Sequence, residues 1–193
     1  MKRKAIFLDR DGVINENVKD MDSLEEFKLL PNVPKAIKKI NDSGFLAIIV
    51  TNQPTISKGI LKSEVLDKIH QKLNDELKKH DAHIDKIYVC PHHPEKGFPG
   101  EIPELKFDCE CRKPKPGLLL KAIKEYDIDS KNSWMIGDSK SDILAGITSN
   151  VKTIFIPGKG SKSMHEDKLR DIKADFEKKD LLEAIEFILN NKL

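Results

Sequence analysis

Ala5-Ile6-Phe7-Leu8-Asp9-Arg10-Asp11-Gly12 is the stretch that decides the fold. Four apolar residues run directly into two aspartates that are one residue apart, and a glycine follows. A short apolar run of this kind is typical of a strand that is buried on both faces of a parallel sheet. Alternate residues of an extended segment point the same way, so Asp9 and Asp11 should share one side of the strand tip. Taken alone, the pair is compatible with a metal site, an acid/base pair or a solvated turn.

The bulk composition narrows the class of protein. A chain of 193 residues predicts a single domain, residues 1–193. Lys+Arg 34 against Asp+Glu 32 gives a net charge of +2, which does not favour binding to nucleic acid or to a membrane surface. The longest apolar run, residues 45–50, is too short to cross a bilayer, and the basic start does not continue as a signal peptide. We therefore expect a cytoplasmic, monomeric protein that acts on a small molecule.

Strand patterns and helix patterns alternate along the whole chain. Such alternation predicts an α/β fold, in which helices cover both faces of a parallel sheet. A polar stretch at 15–26 predicts a loop or short hairpin flap. The predicted strands after the first are 45–51, 86–90, 133–137 and 152–156, with a short extended piece at 174–176, and the predicted helices are 34–41, 63–79, 118–126, 142–149 and 180–190.

Polar residues follow four of these strands at the point where each ends. In a parallel sheet the carboxyl ends of the strands share one edge, where sites form. We therefore expect these residues to converge. They are Asp9 and Asp11, Thr51 and Asn52, Cys90 and His92, and Asp138.

Three carboxylates at this edge, those of Asp9, Asp11 and Asp138, suit Mg²⁺, which prefers hard oxygen ligands. Asp142 lies one helical turn after Asp138. It could hold a metal-bound water or a neighbouring lysine, or it could be the first-turn acid of the next helix. The hydroxyl, amide and backbone N–H groups of a Thr-Asn pair at a strand end could donate to phosphate oxygens, or could form an ordinary turn.

Arg112-Lys113-Pro114 supplies a guanidinium fork next to an ammonium, directly before a predicted helix. This pair of cations suits a bisphosphate or a phosphorylated polyol. The alternative is a solvated basic pair, which is common in a lysine-rich chain.

Together, four motifs resemble those of the haloacid dehalogenase-like phosphatases: Asp9-x-Asp11-Gly12, Thr51-Asn52-Gln53, the Lys113 of Cys-Arg-Lys-Pro, and Gly137-Asp138-x-x-x-Asp142. The resemblance implies a Rossmann-like sheet of strand order 3-2-1-4-5 without a cap domain.

The resemblance also implies a mechanism. Asp9 would attack phosphorus and form an aspartyl-phosphate, and Asp11 would serve as general acid and then general base. Mg²⁺, Thr51 and Lys113 would neutralise the phosphoryl oxygens. The implied magnesium ligands are Asp9, Asp138 and Asp11, the last through its backbone carbonyl, and the implied substrate-binding residues are Asn52, Gln53, Arg112 and Ser139.

All three cysteines fall in one irregular segment, residues 90–116, that also holds six of the ten prolines. Cys90, His92, Cys109 and Cys111 make a Cys₃His set that fits a closed tetrahedral zinc site. His93 is a rival ligand, and the alternative is a set of reduced, buried cysteines. The remaining histidines, His70, His80, His83 and His165, are expected in solvent.

The segment Cys-Pro-His-His-Pro followed by Cys-x-Cys-Arg-Lys-Pro-x-Pro-Gly is similar to that of the D-glycero-D-manno-heptose-1,7-bisphosphate 7-phosphatase subgroup. That likeness implies removal of a 7-phosphate during the synthesis of nucleotide-activated heptose for surface polysaccharides. Pro54-Thr55 and Ser139 depart from the subgroup's pattern, and they affect the substrate rim. Two alternatives remain: a histidinol-phosphate phosphatase, and a non-catalytic interaction module stapled by zinc.

Overall fold

A computed structural model describes residues 2–158 and 172–191, so the expectation for His165 lies outside the described residues. Within these ranges, six strands form one parallel sheet: β1 (Ala5–Leu8), β2 (Leu46–Asn52), β3 (Lys86–Cys90), β4 (Trp134–Gly137), β5 (Lys152–Phe155) and β6 (Phe176–Glu177). Their order is β3-β2-β1-β4-β5-β6. The predicted order 3-2-1-4-5 is confirmed, and the short extended piece joins it as the edge strand β6.

The opening apolar run is the central strand of the sheet. All four residues of β1 are buried, and Phe7 lies between Ile48 of β2 and Met135 of β4. The backbone N–H of Asp9 still donates to the carbonyl of Ile136, at 3.0 Å. Because the pairing continues to this residue, the carboxylate of Asp9 leaves the sheet at a fixed place.

Helices cover both faces of the sheet, as the alternating pattern predicted. The helices are α1 (Val33–Asp42), α2 (Pro54–Ser57), α3 (Ser63–Lys78), α4 (Gly117–Glu125), α5 (Lys140–Thr148) and α6 (Leu181–Asn190). Apolar residues of α1, α3 and α6 share one core with Ile6 and Leu8, whereas those of α4 share the other core with Ala5 and Phe7. This split follows from the alternation of side chains along β1.

Two local features differ from the predicted elements. The four-residue helix α2 was not predicted, because its Pro-Thr-Ile-Ser sequence is too short for a periodic pattern. Helix α5 begins at Lys140 rather than at Asp142, since Ser139 and Asp142 form a capping box that adds a turn.

The predicted flap is a loop with a hairpin base. The N–H of Glu16 donates to the carbonyl of Lys28 and that of Leu30 donates to the carbonyl of Ile14, at 2.9 Å and 3.0 Å. These bonds tie both ends of the loop beside the carboxyl end of β1. None of the described helices is long and apolar enough to cross a membrane.

Candidate active site

Lys113 lies at the centre of the site and is almost completely buried. Its Nζ lies 2.8 Å from Asp9 Oδ1 and 2.6 Å from Asp142 Oδ1, and it donates to the carbonyl of Val50 at 2.8 Å. The two carboxylates raise the pKa of this lysine, against the opposing effect of burial. The ammonium is therefore charged at every physiological pH.

The backbone at Lys113 is fastened to the end of β2. Asn52 Nδ2 donates to the carbonyl of Lys113 at 3.0 Å, and Asn52 Oδ1 accepts from the N–H of Lys113 at 3.1 Å. Asn52 was predicted as a substrate-binding residue. In the structure, its amide holds in place the loop that delivers the lysine.

The pKa of Asp9 is raised further above its ordinary value than the pKa of Asp138. Burial raises the pKa of its carboxyl group to about 8, the charge of Asp142 adds to this rise, and Lys113 opposes it. A cation placed beside Asp9 would therefore stabilise the ionised form of this buried carboxyl group.

Asp138 and Asp142 follow β4 and complete an acidic cluster with Asp9. One carboxylate oxygen from each lies within 4.8 Å of the others. Burial, followed by the charge of Asp142, raises the pKa of Asp138 to about 7. Gly12 packs so closely on Asp138 that a Cβ at Gly12 would lie 2.0 Å from Oδ2, which explains the glycine of the opening motif.

Asp142 combines two of the roles considered from the sequence. Oδ1 contacts Lys113, whereas Oδ2 accepts from the N–H of Ser139 at 3.0 Å and from its hydroxyl at 2.6 Å. Both oxygens are thus engaged, and Asp142 is a lysine partner and a helix cap at once. Ser139, predicted to bind substrate, directs its hydroxyl to this cap.

The carboxylate of Asp11 is turned away from the acidic cluster. It accepts hydrogen bonds from Arg10, Asn15 and Gln53 at 2.7–3.1 Å. The expectation that Asp11 would reach a metal only through its backbone carbonyl stays a prediction.

Thr51 and Gln53 hydrogen-bond to each other at the end of β2, next to Asp11. Thr51 is fully buried, and its hydroxyl accepts from Gln53 Nε2 at 2.8 Å. The same nitrogen donates to Asp11 Oδ2 at 2.7 Å. The predicted contacts of Thr51 and Gln53 with phosphate and substrate stay predictions.

A cavity of about 300 Å³ opens above these groups. Asp9, Lys113 and Asp138 line it, residues 17–21 of the flap and 52–55 form walls, and Arg112 lies at the rim. Asn17 hydrogen-bonds to Asp138, so the flap reaches the acidic cluster. The sequence did not single out Asn17, because a polar residue in a polar loop carries no distinguishing pattern.

Arg10 and His70 are the other residues that sequence reasoning missed. Arg10 is only 1% exposed although it carries a charge. His70 was expected in solvent, and that expectation is wrong: Nε2 is buried, and burial together with the charge of Arg10 lowers its pKa to about 4. The reason is its position on α3, one helical turn from the buried Leu66 and Leu73.

Cys90, His92, Cys109 and Cys111 converge beside the cavity. Their sulfur atoms lie 3.2–3.5 Å apart, and His92 Nδ1 lies 3.2 Å from Cys111 Sγ and 3.6 Å from Cys90 Sγ. Bonds of about 2.3 Å to a tetrahedral zinc would hold sulfurs about 3.8 Å apart, whereas a disulfide holds them about 2 Å apart. The three thiols are free, and the observed spacing is close to that of a zinc site.

His93 does not join this cluster. Its Nδ1 accepts from the N–H of Glu95, and its ring meets the edge of Phe98. Arg112 links the cluster to the cavity rim, because it donates to the carbonyl of His92 at 3.2 Å.

Residues 110–184 match the family described as HAD-hydrolase-like, where HAD stands for haloacid dehalogenase. One curated relative is a D-glycero-alpha-D-manno-heptose-1,7-bisphosphate 7-phosphatase of Photorhabdus laumondii. It is 39% identical over 155 residues, which cover 80% of this chain and 82% of that protein. Another, a D-glycero-beta-D-manno-heptose-1,7-bisphosphate 7-phosphatase of Haemophilus ducreyi, is 34% identical over 97% of this chain and 100% of that protein.

A solved structure agrees in fold over nearly the whole length. It is the D,D-heptose 1,7-bisphosphate phosphatase from B. bronchiseptica, complexed with magnesium and phosphate. Its TM-score is 0.83 and its sequence identity 28%, over 97% of this chain and 98% of that one.

Proposed function

Since this chain belongs to the haloacid dehalogenase-like hydrolases, and within them to the family of the D-glycero-D-manno-heptose-1,7-bisphosphate 7-phosphatases, we propose that it hydrolyses the 7-phosphate of a heptose 1,7-bisphosphate. The observation that carries this proposal is the contact of Lys113 Nζ with Asp9 at 2.8 Å, at the base of a cavity that Arg112 borders. A buried carboxylate beside a buried ammonium suits attack on an anionic phosphoryl group. The reaction would take place in the cytoplasm, in the synthesis of nucleotide-activated heptose.

Magnesium fits the acidic cluster. The carboxylates of Asp9 and Asp138 and the backbone carbonyl of Asp11 would hold the ion. The support is the raised pKa of both carboxyl groups, which burial causes first and the neighbouring charge of Asp142 increases, because a bound cation would offset both effects. When bound, Mg²⁺ supplies positive charge that neutralises the phosphoryl oxygens during transfer.

In the first step, a carboxylate oxygen of Asp9 forms a bond to phosphorus. The bond from phosphorus to the sugar oxygen breaks, and its electron pair stays on that oxygen, which takes a proton from Asp11. Lys113 Nζ is close enough to Asp9 to donate to the transferring group, and the products are the alcohol and an aspartyl-phosphate.

In the second step, Asp11, now ionised, takes a proton from a water molecule. The oxygen of that water bonds to phosphorus, the bond between phosphorus and Asp9 breaks, and inorganic phosphate leaves. Both carboxyl groups have then regained their starting protonation states, so the cycle closes.

Zinc fits the cluster of Cys90, His92, Cys109 and Cys111, as the spacing of their ligand atoms indicates. When bound, the ion would staple a loop that has few regular hydrogen bonds and would stabilise its fold. The loop carries Arg112 to the cavity rim, so the staple would also support substrate recognition.

A phosphate-release panel tests the substrate. The purified chain, with Mg²⁺, is given the alpha and beta anomers of D-glycero-D-manno-heptose 1,7-bisphosphate and, separately, histidinol phosphate. We expect kcat/KM for at least one heptose anomer to be at least about a hundredfold higher than kcat/KM for histidinol phosphate, because the second phosphate of the heptose adds charged contacts. A preference for histidinol phosphate would contradict the proposed substrate.

A further inference from the structure

Arg10 is a buried cation inserted between the two aspartates of the opening motif. It is 1% exposed and lines the cavity. Nε donates to Asp11 Oδ1 at 3.1 Å, and Nη2 donates to Oδ1 and to Oδ2, both at 2.9 Å. Asp11 is its only carboxylate partner among the described residues.

Two neutral side chains also donate hydrogen bonds to the carboxylate of Asp11. Asn15 Nδ2 donates to Oδ1 at 2.8 Å, and Gln53 Nε2 donates to Oδ2 at 2.7 Å. Arg10 Nη2 also donates to Gln53 Oε1 at 2.9 Å, which joins the donors to one another. The carboxylate therefore receives five N–H contacts and has one preferred orientation.

Among the described groups around Arg10, Asp11 is the one that forms an ion pair with it. On the α3 side stands His70, whose low pKa keeps it neutral at pH 7. Arg10 Nη1 and His70 Nε2 are both buried and make no hydrogen bond within the described residues. An arginine buried merely for structure would be expected to use its whole fork, since an unmade buried bond is costly.

We propose that Arg10 is a positioning residue that acts through Asp11, holding the ionised carboxylate in the place from which it activates water in the second chemical step. The inference rests on the proposed function, in which Asp11 protonates the leaving oxygen and then activates water. Arg10 itself does not contact the substrate, because Nε and Nη2 are occupied by Asp11 and Gln53 and Nη1 is buried. Loss of Arg10 should therefore impair the steps that need Asp11 and spare the others.

p-Nitrophenyl phosphate separates these steps. Its leaving group is stable as an anion and departs without a proton, so formation of the aspartyl-phosphate does not need Asp11 in that case. Hydrolysis of the intermediate needs Asp11 for every substrate. A positioning role thus predicts a split between the two steps, whereas general damage to the site would slow both.

The test is rapid mixing of p-nitrophenyl phosphate with the Mg²⁺-loaded Arg10→Met variant. We expect a burst of about one p-nitrophenol per chain, at a rate within threefold of the wild-type rate of first release. Steady turnover should then be at least about thirtyfold slower than wild type, within the range that general acid–base groups contribute. A burst slowed as much as turnover, or turnover that stays at the wild-type rate, would overturn the proposal.

Two further variants keep the result interpretable. Arg10→Lys retains the charge but not the fork, and it should show the same split with a smaller loss; it replaces Arg10→Met if that variant does not fold. Arg3→Met, which removes an arginine that lies over the Tyr126 ring, should match wild type in both phases. A wild-type preference for another phosphomonoester would contradict the proposed substrate and leave this comparison intact.

Discussion

At the scale of the residue, the site concentrates more negative charge than its cation can balance. Asp9, Asp138 and Asp142 surround one ammonium, and burial makes each ionised carboxylate costly. The acidic cluster should therefore lower the stability of the fold, which is a common cost at functional sites.

Replacing Asp9 should reveal this opposition. In Asp9→Asn we expect phosphate release to be abolished, because the nucleophile is gone. We also expect a midpoint of thermal unfolding, measured without Mg²⁺ above pH 8, that equals or exceeds that of wild type, because Asp9 is ionised above its pKa of about 8 and the substitution then removes a buried charge. Asp81→Asn, on the exposed turn after α3, is the control for both measurements. Substantial phosphate release by Asp9→Asn would contradict the assignment of the nucleophile.

His70 should make folding sensitive to mild acid. Its pKa is lowered from 6.5 to about 4 by burial and by Arg10, against the opposing charges of Asp67 and Asp11. The unfolded chain binds a proton below pH 6.5 and the folded chain does not, so the contribution of His70 is present at pH 7 and lost as the pH falls towards 4. We expect the free energy of unfolding to drop by about 1–2 kcal/mol from this residue between pH 7 and pH 5.

Denaturant unfolding of His70→Gln at both pH values checks this expectation. The variant cannot take up the proton, so its free energy of unfolding should change less with pH than that of wild type. An equal change in both proteins would refute the role of His70. His80→Gln, at an exposed histidine, is the matched control.

At the scale of the element, the irregular segment 90–116 is held at two places in addition to the contacts of Lys113. One is the Cys₃His cluster. The other is the last residue of α2, where the N–H of Ile102 donates to the carbonyl of Ser57 at 3.0 Å. The sequence predicted the cluster, because cysteine spacing is a local signal. It did not predict α2 or its contact, since a four-residue helix and a long-range backbone bond leave no periodic trace.

Zinc binding by the Cys₃His cluster can be tested by replacing His92 and His93 in turn. We expect about one zinc per chain in the purified protein and a marked loss in His92→Ala, since removal of one of four ligands opens the site. His93→Ala should keep its zinc, because His93 lies outside the cluster. Metal analysis by mass spectrometry gives the comparison. The reverse result, with zinc lost only from His93→Ala, would contradict the predicted ligand set.

Gly59 should be sensitive to a single methyl group. A Cβ at this position would lie 1.9 Å from the carbonyl oxygen of Gly100, and its φ of +74° is also unfavourable for alanine. Gly97 has a φ of +97° but open space around it, so it separates the two effects. We expect Gly59→Ala to lower the midpoint of thermal unfolding more than Gly97→Ala does. Equal effects would mean that the loop yields without cost.

At the scale of the whole molecule, the convergence of polar strand ends could be predicted from the alternation of elements in a parallel sheet, whereas the strand order was implied by the resemblance of the four motifs to those of a known family. Asp9, Lys113 and Asp138 do meet at one edge, and their catalytic roles stay predictions. The sequence did not predict which partner each polar side chain of the site would hydrogen-bond. Gln53 directs its amide to Asp11 and Thr51, which only the three-dimensional arrangement reveals.

Lys113 lies only two residues after Cys111, and this short distance along the chain has a consequence for assembly. The ammonium beside Asp9 comes from a loop, and on one side that loop is anchored by the thiols of the Cys₃His cluster. Zinc bound at the cluster would therefore help to place this ammonium, together with the two hydrogen bonds from Asn52 to the backbone of Lys113. Magnesium would then enter a site whose counter-charge is already in place. Binding of zinc at the cluster would thus favour binding of magnesium at the acidic site, although the two sites share no ligand.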